Sequence, residues 1–339
     1  MPLLLLVLAL ACASCADLVP ARHPVERSRL AMGSQLRVLV WTTSDAAAGA
    51  AIEQVFREFD RLESLLSVWK PGSDVVRINV AAGRAPVAVS LDTIMVLEAA
   101  AQASEWTGGK FDITFGALTD IWKFDHDQDN RVPDRQAIAA RLPFVDHRLV
   151  QVDRAAGTAF VTKAGSRIHL GGIGKGYAVD RAAAILRERG FADFLIQSGG
   201  DLYVAGRNGF TAWTLGIADP RGPAGGTFAK VDLADGTLST SGDYERFFIK
   251  DGVRYHHLID PDRGTPATGA RSVTIVTDSA MLADVLSTGV FILGPAEGMA
   301  LVERLPRVEG VIVTAGNQVL VSSGLKGRVT LTAPPTNAP

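Results

Sequence analysis

Three places in the chain carry residue types at spacings that suit chemistry. The first is His169-Leu170-Gly171-Gly172-Ile173-Gly174-Lys175-Gly176-Tyr177-Ala178-Val179-Asp180, which reads as a strand end, a glycine-rich loop and a helix that Gly190 is placed to stop. Glycines at such a turn let backbone N–H groups approach a phosphate, and the helix N-terminus adds partial positive charge. A phosphate ester is the expected guest, although the same turn serves equally as a tight structural connection. Neither common nucleotide loop fits, because Gly176 rather than Ser or Thr follows Lys175 and Val179 takes the third glycine position of the dinucleotide pattern. The second place is Asp284 with Thr288, four apart on an expected helix, so that their oxygens share one face and suit a hard cation such as Mg²⁺. A pair of this kind is also commonly structural. The third is His257, whose neutral imidazole titrates near working pH and can accept a proton. A satisfied strand histidine is the alternative there, and adjacent His256 is expected at the surface.

Positioning these groups takes both helices and strands. A strand is expected over 31–41, followed by a helix capped at Ser44-Asp45 whose Ile52, Val55, Phe56, Phe59, Leu62, Leu65 and Leu66 recur at helical spacing. A second helix over 91–106 closes at Gly108-Gly109. Past the glycine loop, strands are expected over 194–197, 202–204, 213–217, 228–233, 246–250 and 253–259, the last two joined at Asp251-Gly252. A strand over 272–277, a helix from an Asp278 cap to about 293, a helix over 295–305 and a pair over 310–314 and 318–322 complete the series. The fold class is α+β: a single large domain with mixed or antiparallel sheets and packed helices. Asp125-His126-Asp127-Gln128-Asp129 superficially matches a calcium loop, but Asn130 and Gln136 stand where glycine and glutamate are needed, so a solvated connection is expected.

Composition narrows the classes. With 34 basic and 36 acidic residues, a net charge of −2 and 47% hydrophobic residues, the chain has ample material for a core and no sign of a nucleic-acid surface. Residues 1–16, apolar from Leu3 to Leu10, read as a secretory signal. Cys15 after Ala13-Ser14 resembles a lipoprotein cleavage site, whereas Ser14-Cys15-Ala16 equally serves ordinary cleavage after Ala16. Either route predicts a periplasmic protein, the first one anchored to the inner membrane by a lipidated cysteine. Both cysteines, Cys12 and Cys15, fall in this segment, so no disulfide framework is expected. Residues 17–30 read as a linker, 31–332 as the domain and 333–339 as a disordered tail.

The blocks Met32-Gly33-Ser34, Ser67-Val68-Trp69, Lys110-Phe111-Asp112-Ile113-Thr114, the glycine loop, Ser198-Gly199-Gly200-Asp201, Ser239-Thr240-Ser241-Gly242, His257-Leu258-Ile259-Asp260-Pro261 and Ala283-Asp284-Val285-Leu286-Ser287-Thr288 occur in that order. Singly they are weak, but together the series resembles the ApbE family of FAD:protein FMN transferases. The resemblance implies that FMN passes from FAD to a threonine of a partner protein, a membrane-associated redox subunit, with AMP leaving and Mg²⁺ required. It places Met32, Trp69, Lys110, Phe111, Asp112, His169, Lys175 and Ile259 on the flavin nucleotide. Gly172, through its carbonyl, joins Asp284 and Thr288 on the metal, and His257 becomes the base. His169 departs from the pattern, because the family usually has Asp before Leu-Gly-Gly and a neutral histidine brings no negative charge. Two rival readings remain: an FAD pyrophosphatase using water as nucleophile, and a non-catalytic FAD-binding protein.

Overall fold

The computed structural model describes residues 21–338; the expected signal segment with Cys12 and Cys15 lies outside them. At its centre is an eight-stranded sheet whose strands follow one another in sequence order: β1 (His23–Ala31), β2 (Ser34–Thr42), β3 (Phe194–Ser198), β4 (Asp201–Ala205), β5 (Gly236–Gly242), β6 (Ala270–Thr277), β7 (Glu309–Thr314) and β8 (Val319–Val321). Every neighbouring pair is antiparallel. The functional machinery is carried by insertions between these strands rather than by the strands' own order.

Period-two side chains split the sheet into two faces. Leu36, Val38, Val40, Phe194, Ile196, Val273, Ile275 and Ile312 enter the large core under the helices. Leu195, Val204, Leu238, Val276, Val311 and Val313 turn to the other side and pack against a three-stranded sheet formed by Trp213–Ala218, Thr227–Leu233 and Val329–Leu331. The helix layer comprises α1 (Asp45–Leu66), α2 (Asp74–Ala81), α3 (Leu91–Trp106), α4 (Arg135–Arg141), α5 (Gly174–Glu188), α6 (Ala280–Leu293) and α7 (Pro295–Arg304). Helix α1 begins where Ser44 accepts from the Ala47 N–H, and it buries the expected stripe from Ile52 to Leu66, with Leu65 only partly covered. The structure is a single α+β domain, as the sequence predicts.

Several expectations are corrected. Residues 23–30, read as linker, form most of β1. Its composition hides it because it is an edge strand: Pro24 and charged residues are tolerated there, and Arg27–Glu53, Arg29–Asp60 and Arg37–Glu26 pairs hold it down. Met32 and Gly33, both at positive φ, make the hairpin turn between β1 and β2. Residues 333–338 are irregular yet tied down, since Thr336 donates to Asp219 and the Asn317 side chain donates to the Pro335 carbonyl. The segment before the glycine loop is not a strand. The 253–259 strand divides into Val253–His256 and Ile259–Asp260, and Ser279 rather than Asp278 caps α6 by accepting from the Leu282 N–H.

Candidate active site

The insertions converge on one cavity of about 1170 Å³. Its walls come from the α1–α2 connection, the 110–125 segment, the glycine loop, the β3–β4 turn, the end of β5, the segment around His257, and α6. Trp69, Lys110, Phe111, Asp112, His169, Gly172, Lys175, His257, Ile259, Asp284 and Thr288 all line it. Met32 does not: its side chain packs beneath Gly174, while the neighbouring Gly33 and Ser34 reach the wall. A hairpin-turn methionine at positive φ serves here to support the loop from behind.

Close approach of two helices builds the floor. Helix α5 begins at Gly174 with no cap from Ile173; the Gly174 N–H is taken by the Leu170 carbonyl, and Gly172 and Lys175 bring the helix start to the cavity wall. Gly176 donates its N–H to Asp284 Oδ2 at 3.0 Å, and a β-carbon there would lie 2.7 Å from Asp284 Cβ. Only glycine permits that contact. Gly172 also approaches α6, since a β-carbon on it would stand 3.4 Å from Thr288 Oγ1. The glycine loop and the Asp284/Thr288 face are thus one site.

Electrostatics make this floor acidic. Burial, followed by the charge of Asp201, pushes the Asp284 carboxyl above the usual carboxylate range against the opposing pull of Lys175. The Lys175 ammonium, expected on the nucleotide, stands 3.2 Å from Asp201 Oδ2 and 3.7 Å from Asp284 Oδ2 instead. Burial opposes its charge, but the two carboxylates outweigh burial and hold its pKa above the ordinary lysine value. Asp201 Oδ2 is buried, with the Lys175 ammonium facing it. Among the described residues no three His, Cys, Asp or Glu side chains gather as a metal cluster. The donors here are two carboxylates with hydroxyl and loop oxygens, a set that fits a hard cation completing its shell with water and phosphate.

The histidines resolve into distinct states. His256, expected at the surface, is buried: Nε2 donates to the Ala267 carbonyl at 2.8 Å and Nδ1 accepts from the Leu258 N–H at 3.3 Å. His257 is the partly exposed one, on the cavity wall. Its Nδ1 faces the Arg246 carbonyl at 3.3 Å, which can only accept, so Nδ1 carries the proton and Nε2 keeps a free lone pair. Burial, and then the Arg246 charge, lower its pKa to about 3 and keep it neutral. His169 is also held neutral, at about 4, chiefly by burial. Its Nδ1 accepts from the Gly171 N–H at 3.0 Å, so Nε2 is a donor where a carboxylate would be an acceptor.

The remaining wall carries Trp69 and the Lys110-Phe111-Asp112 segment. Trp69 is 55% exposed rather than buried in the core, and its ring meets His126 edge-on at 4.6 Å. The loop carrying His126 is a connection, as expected, but Asp125 takes a 2.7 Å bond from Arg246 and Gln128 donates to the Phe247 carbonyl. Lys110 donates to Asp260 and Asp262 at 2.8 and 2.7 Å. Asp112 Oδ1 caps its own turn by accepting from the Thr114 N–H and hydroxyl, and the residue also lines the cavity. Sequence reading assigned no role to Asp201 or Ser239; the available signal was a carboxylate directly after the Gly199-Gly200 turn and hydroxyls at alternate positions of β5.

The ApbE family pattern matches residues 32–312. The chain belongs to the ApbE family. It is 34% identical over 319 residues, covering 89% of this chain and 88% of the other, to a protein of Treponema pallidum named FAD:protein FMN transferase. A Klebsiella pneumoniae protein of the same name is 31% identical over 297 residues, covering 87% and 91%. Among solved structures, the ApbE protein of Thermotoga maritima superposes with a TM-score of 0.83 at 33% identity over 90% of this chain and 99% of that one. The flavin transferase ApbE of Vibrio cholerae gives 0.81 at 25% identity, over 91% and 100%.

Proposed function

We propose that this chain is an FAD:protein FMN transferase that moves FMN from FAD to a threonine hydroxyl of a partner protein and releases AMP. The observation that carries this reading is the cavity itself. One chamber joins a wall at Trp69 and Lys110-Phe111-Asp112, the glycine loop at the start of α5, and a neutral histidine with a free lone pair. The names borne by its relatives, at a third identity over nearly the full chain, support the same reaction.

In this reading His257 Nε2 takes the acceptor hydroxyl proton while that oxygen forms a bond to the FMN phosphorus. The pyrophosphate P–O bond breaks, and its bridging oxygen departs with AMP. The Gly172 and Lys175 backbone at the start of α5, which lines the cavity, holds the phosphates in place, with Ile259 and Phe111 excluding water. Gly172, Asp284 and Thr288 would hold Mg²⁺, which when bound neutralises charge on the pyrophosphate. The acceptor is a membrane-associated redox subunit, and the enzyme works in the periplasm, whether lipidated at Cys15 or cleaved after Ala16. Among the described residues no helix is long and apolar enough to cross a membrane.

The test mixes the protein, FAD and Mg²⁺ with a domain bearing an accessible threonine acceptor. A transferase makes AMP and covalently flavinylated acceptor in equal amounts. AMP with free FMN indicates a pyrophosphatase, and neither product indicates a storage protein; either result overturns the proposal.

A further inference from the structure

The acidic floor carries one carboxylate more than the expected metal ligands require. Asp201 opens β4 and is 2% exposed; its Oδ1 accepts from Ser239 Oγ at 2.5 Å, and its Oδ2 is buried. Facing Oδ2 at 3.2 Å is Lys175 Nζ, which also donates to the Gly171 carbonyl at 3.2 Å and lies 3.7 Å from Asp284 Oδ2. The ammonium therefore stands among the oxygens that suit a hard cation.

Hydroxyls of β5 and α6 lie between this carboxylate and Thr288. Ser239 Oγ is 3.4 Å from Ser287 Oγ, Ser287 is 2.8 Å from Ser241 Oγ, and Ser241 is 3.1 Å from Thr288 Oγ1. Each hydroxyl has a single proton to give. Ser239 gives its proton to Asp201, and Ser287 gives its proton to the Asp284 carbonyl at 2.9 Å. Ser241 then donates to Ser287, and Thr288 to Ser241. The Thr288 proton points into the network, leaving its lone pairs for a cation, the way an outer hydrogen bond fixes a metal ligand.

We infer that Asp201 is a further carboxylate of the cation site and that Lys175 is its resident counter-ion, held between Asp201 and Asp284 until a divalent cation displaces it toward the nucleotide phosphates. A buried pair of carboxylates without a cation is costly, and an internal ammonium meets that cost in the metal-free protein. The inference rests on the cation reading above. The alternative is a permanent Lys175–Asp201 pair that serves only folding.

Calorimetric titration of the nucleotide-free protein with Mn²⁺ separates them, with thermal melts confirming that each variant is folded. Lys175→Met should bind Mn²⁺ roughly tenfold tighter than wild type, and adding Asp201→Asn should weaken that binding by roughly tenfold or more. Ser239→Ala, which removes the hydrogen bond that orients the carboxylate but keeps its charge, should weaken binding in the same direction and stands in for Asp201→Asn if that variant does not fold. Acetic anhydride labelling, read by mass spectrometry, should find Lys175 protected without metal and reactive with Mn²⁺. Lys175→Met binding no tighter than wild type, Asp201→Asn without effect, or labelling indifferent to Mn²⁺ would overturn the inference while leaving Asp284 and Thr288 as ligands. Absence of Mn²⁺ binding in wild type and Lys175→Met alike would instead remove the cation reading on which it rests.

Discussion

His257 can act as a base only through Nε2, because its Nδ1 proton is committed to the Arg246 carbonyl. His257→Ala should leave FAD affinity nearly unchanged and slow single-turnover transfer by about 10²–10⁴. Equal rates in the two proteins would return the residue to a structural role. The depressed pKa values have a separate consequence. The unfolded chain protonates these histidines near 6.5, whereas the folded protein keeps His257 neutral to about 3 and His169 to about 4. Stability is therefore fully present above about 6.5 and is lost as pH falls from there toward 4. The double variant His257→Asn, His169→Asn should lose less stability between about pH 7.5 and 5 than wild type, as read by urea denaturation. An identical pH profile would show that neither imidazole is desolvated as the fold requires.

At the scale of elements, the site depends on how closely α5 and α6 approach. Gly176→Ala places a methyl against the Ala280 carbonyl and Asp284 Cβ, and it disturbs the N–H bond to Asp284. It should cost about 1–3 kcal/mol in denaturant unfolding and lower the transfer rate as well, because the helices must separate. Unchanged stability would mean that the two helices are not in register as described. This packing also explains what the sequence discloses. Helix α1 is readable because its buried residues keep a helical period, and α6 because an apolar helix runs to Gly294 at positive φ. Strand β5 is not readable: Gly236-Thr237-Leu238-Ser239-Thr240-Ser241-Gly242 has a single large apolar residue, yet it lies between β4 and β6 in the central sheet. Its hydroxyls face Asp201, Ser287 and Thr288, so the strand is specified by hydrogen bonds that exist only once distant segments meet. The members of the site were legible as family blocks. That Lys175 faces Asp201 was not, since the partners are 26 positions apart on different elements and no local pattern links them.

At the scale of the whole molecule, the cavity draws its walls from both helix and sheet layers, from the hairpin side at Glu245 and Arg246, and from the turn after β1. A ligand filling it bridges segments that otherwise meet only through the core, so binding should stabilise the domain as a unit rather than one loop. FAD at about a hundred times its dissociation constant should add roughly 2.7 kcal/mol. With an unfolding entropy of about 2.1 cal/mol/K per residue, that is a rise of only about 4 °C in Tm for a chain of this length. The size of the shift then discriminates among residues. Trp69→Ala should remove about 1–3 kcal/mol of it if the indole stacks on the isoalloxazine ring. His257→Ala should retain the whole shift, because in the proposed reaction that side chain meets the acceptor rather than FAD. Chelation should lessen the shift in wild type and not in Asp284→Asn, whose cation site is already impaired. A melting curve unmoved by FAD, with Mg²⁺ or with chelator, would refute the flavin assignment, because no arrangement of these walls can bind the nucleotide without favouring the folded state.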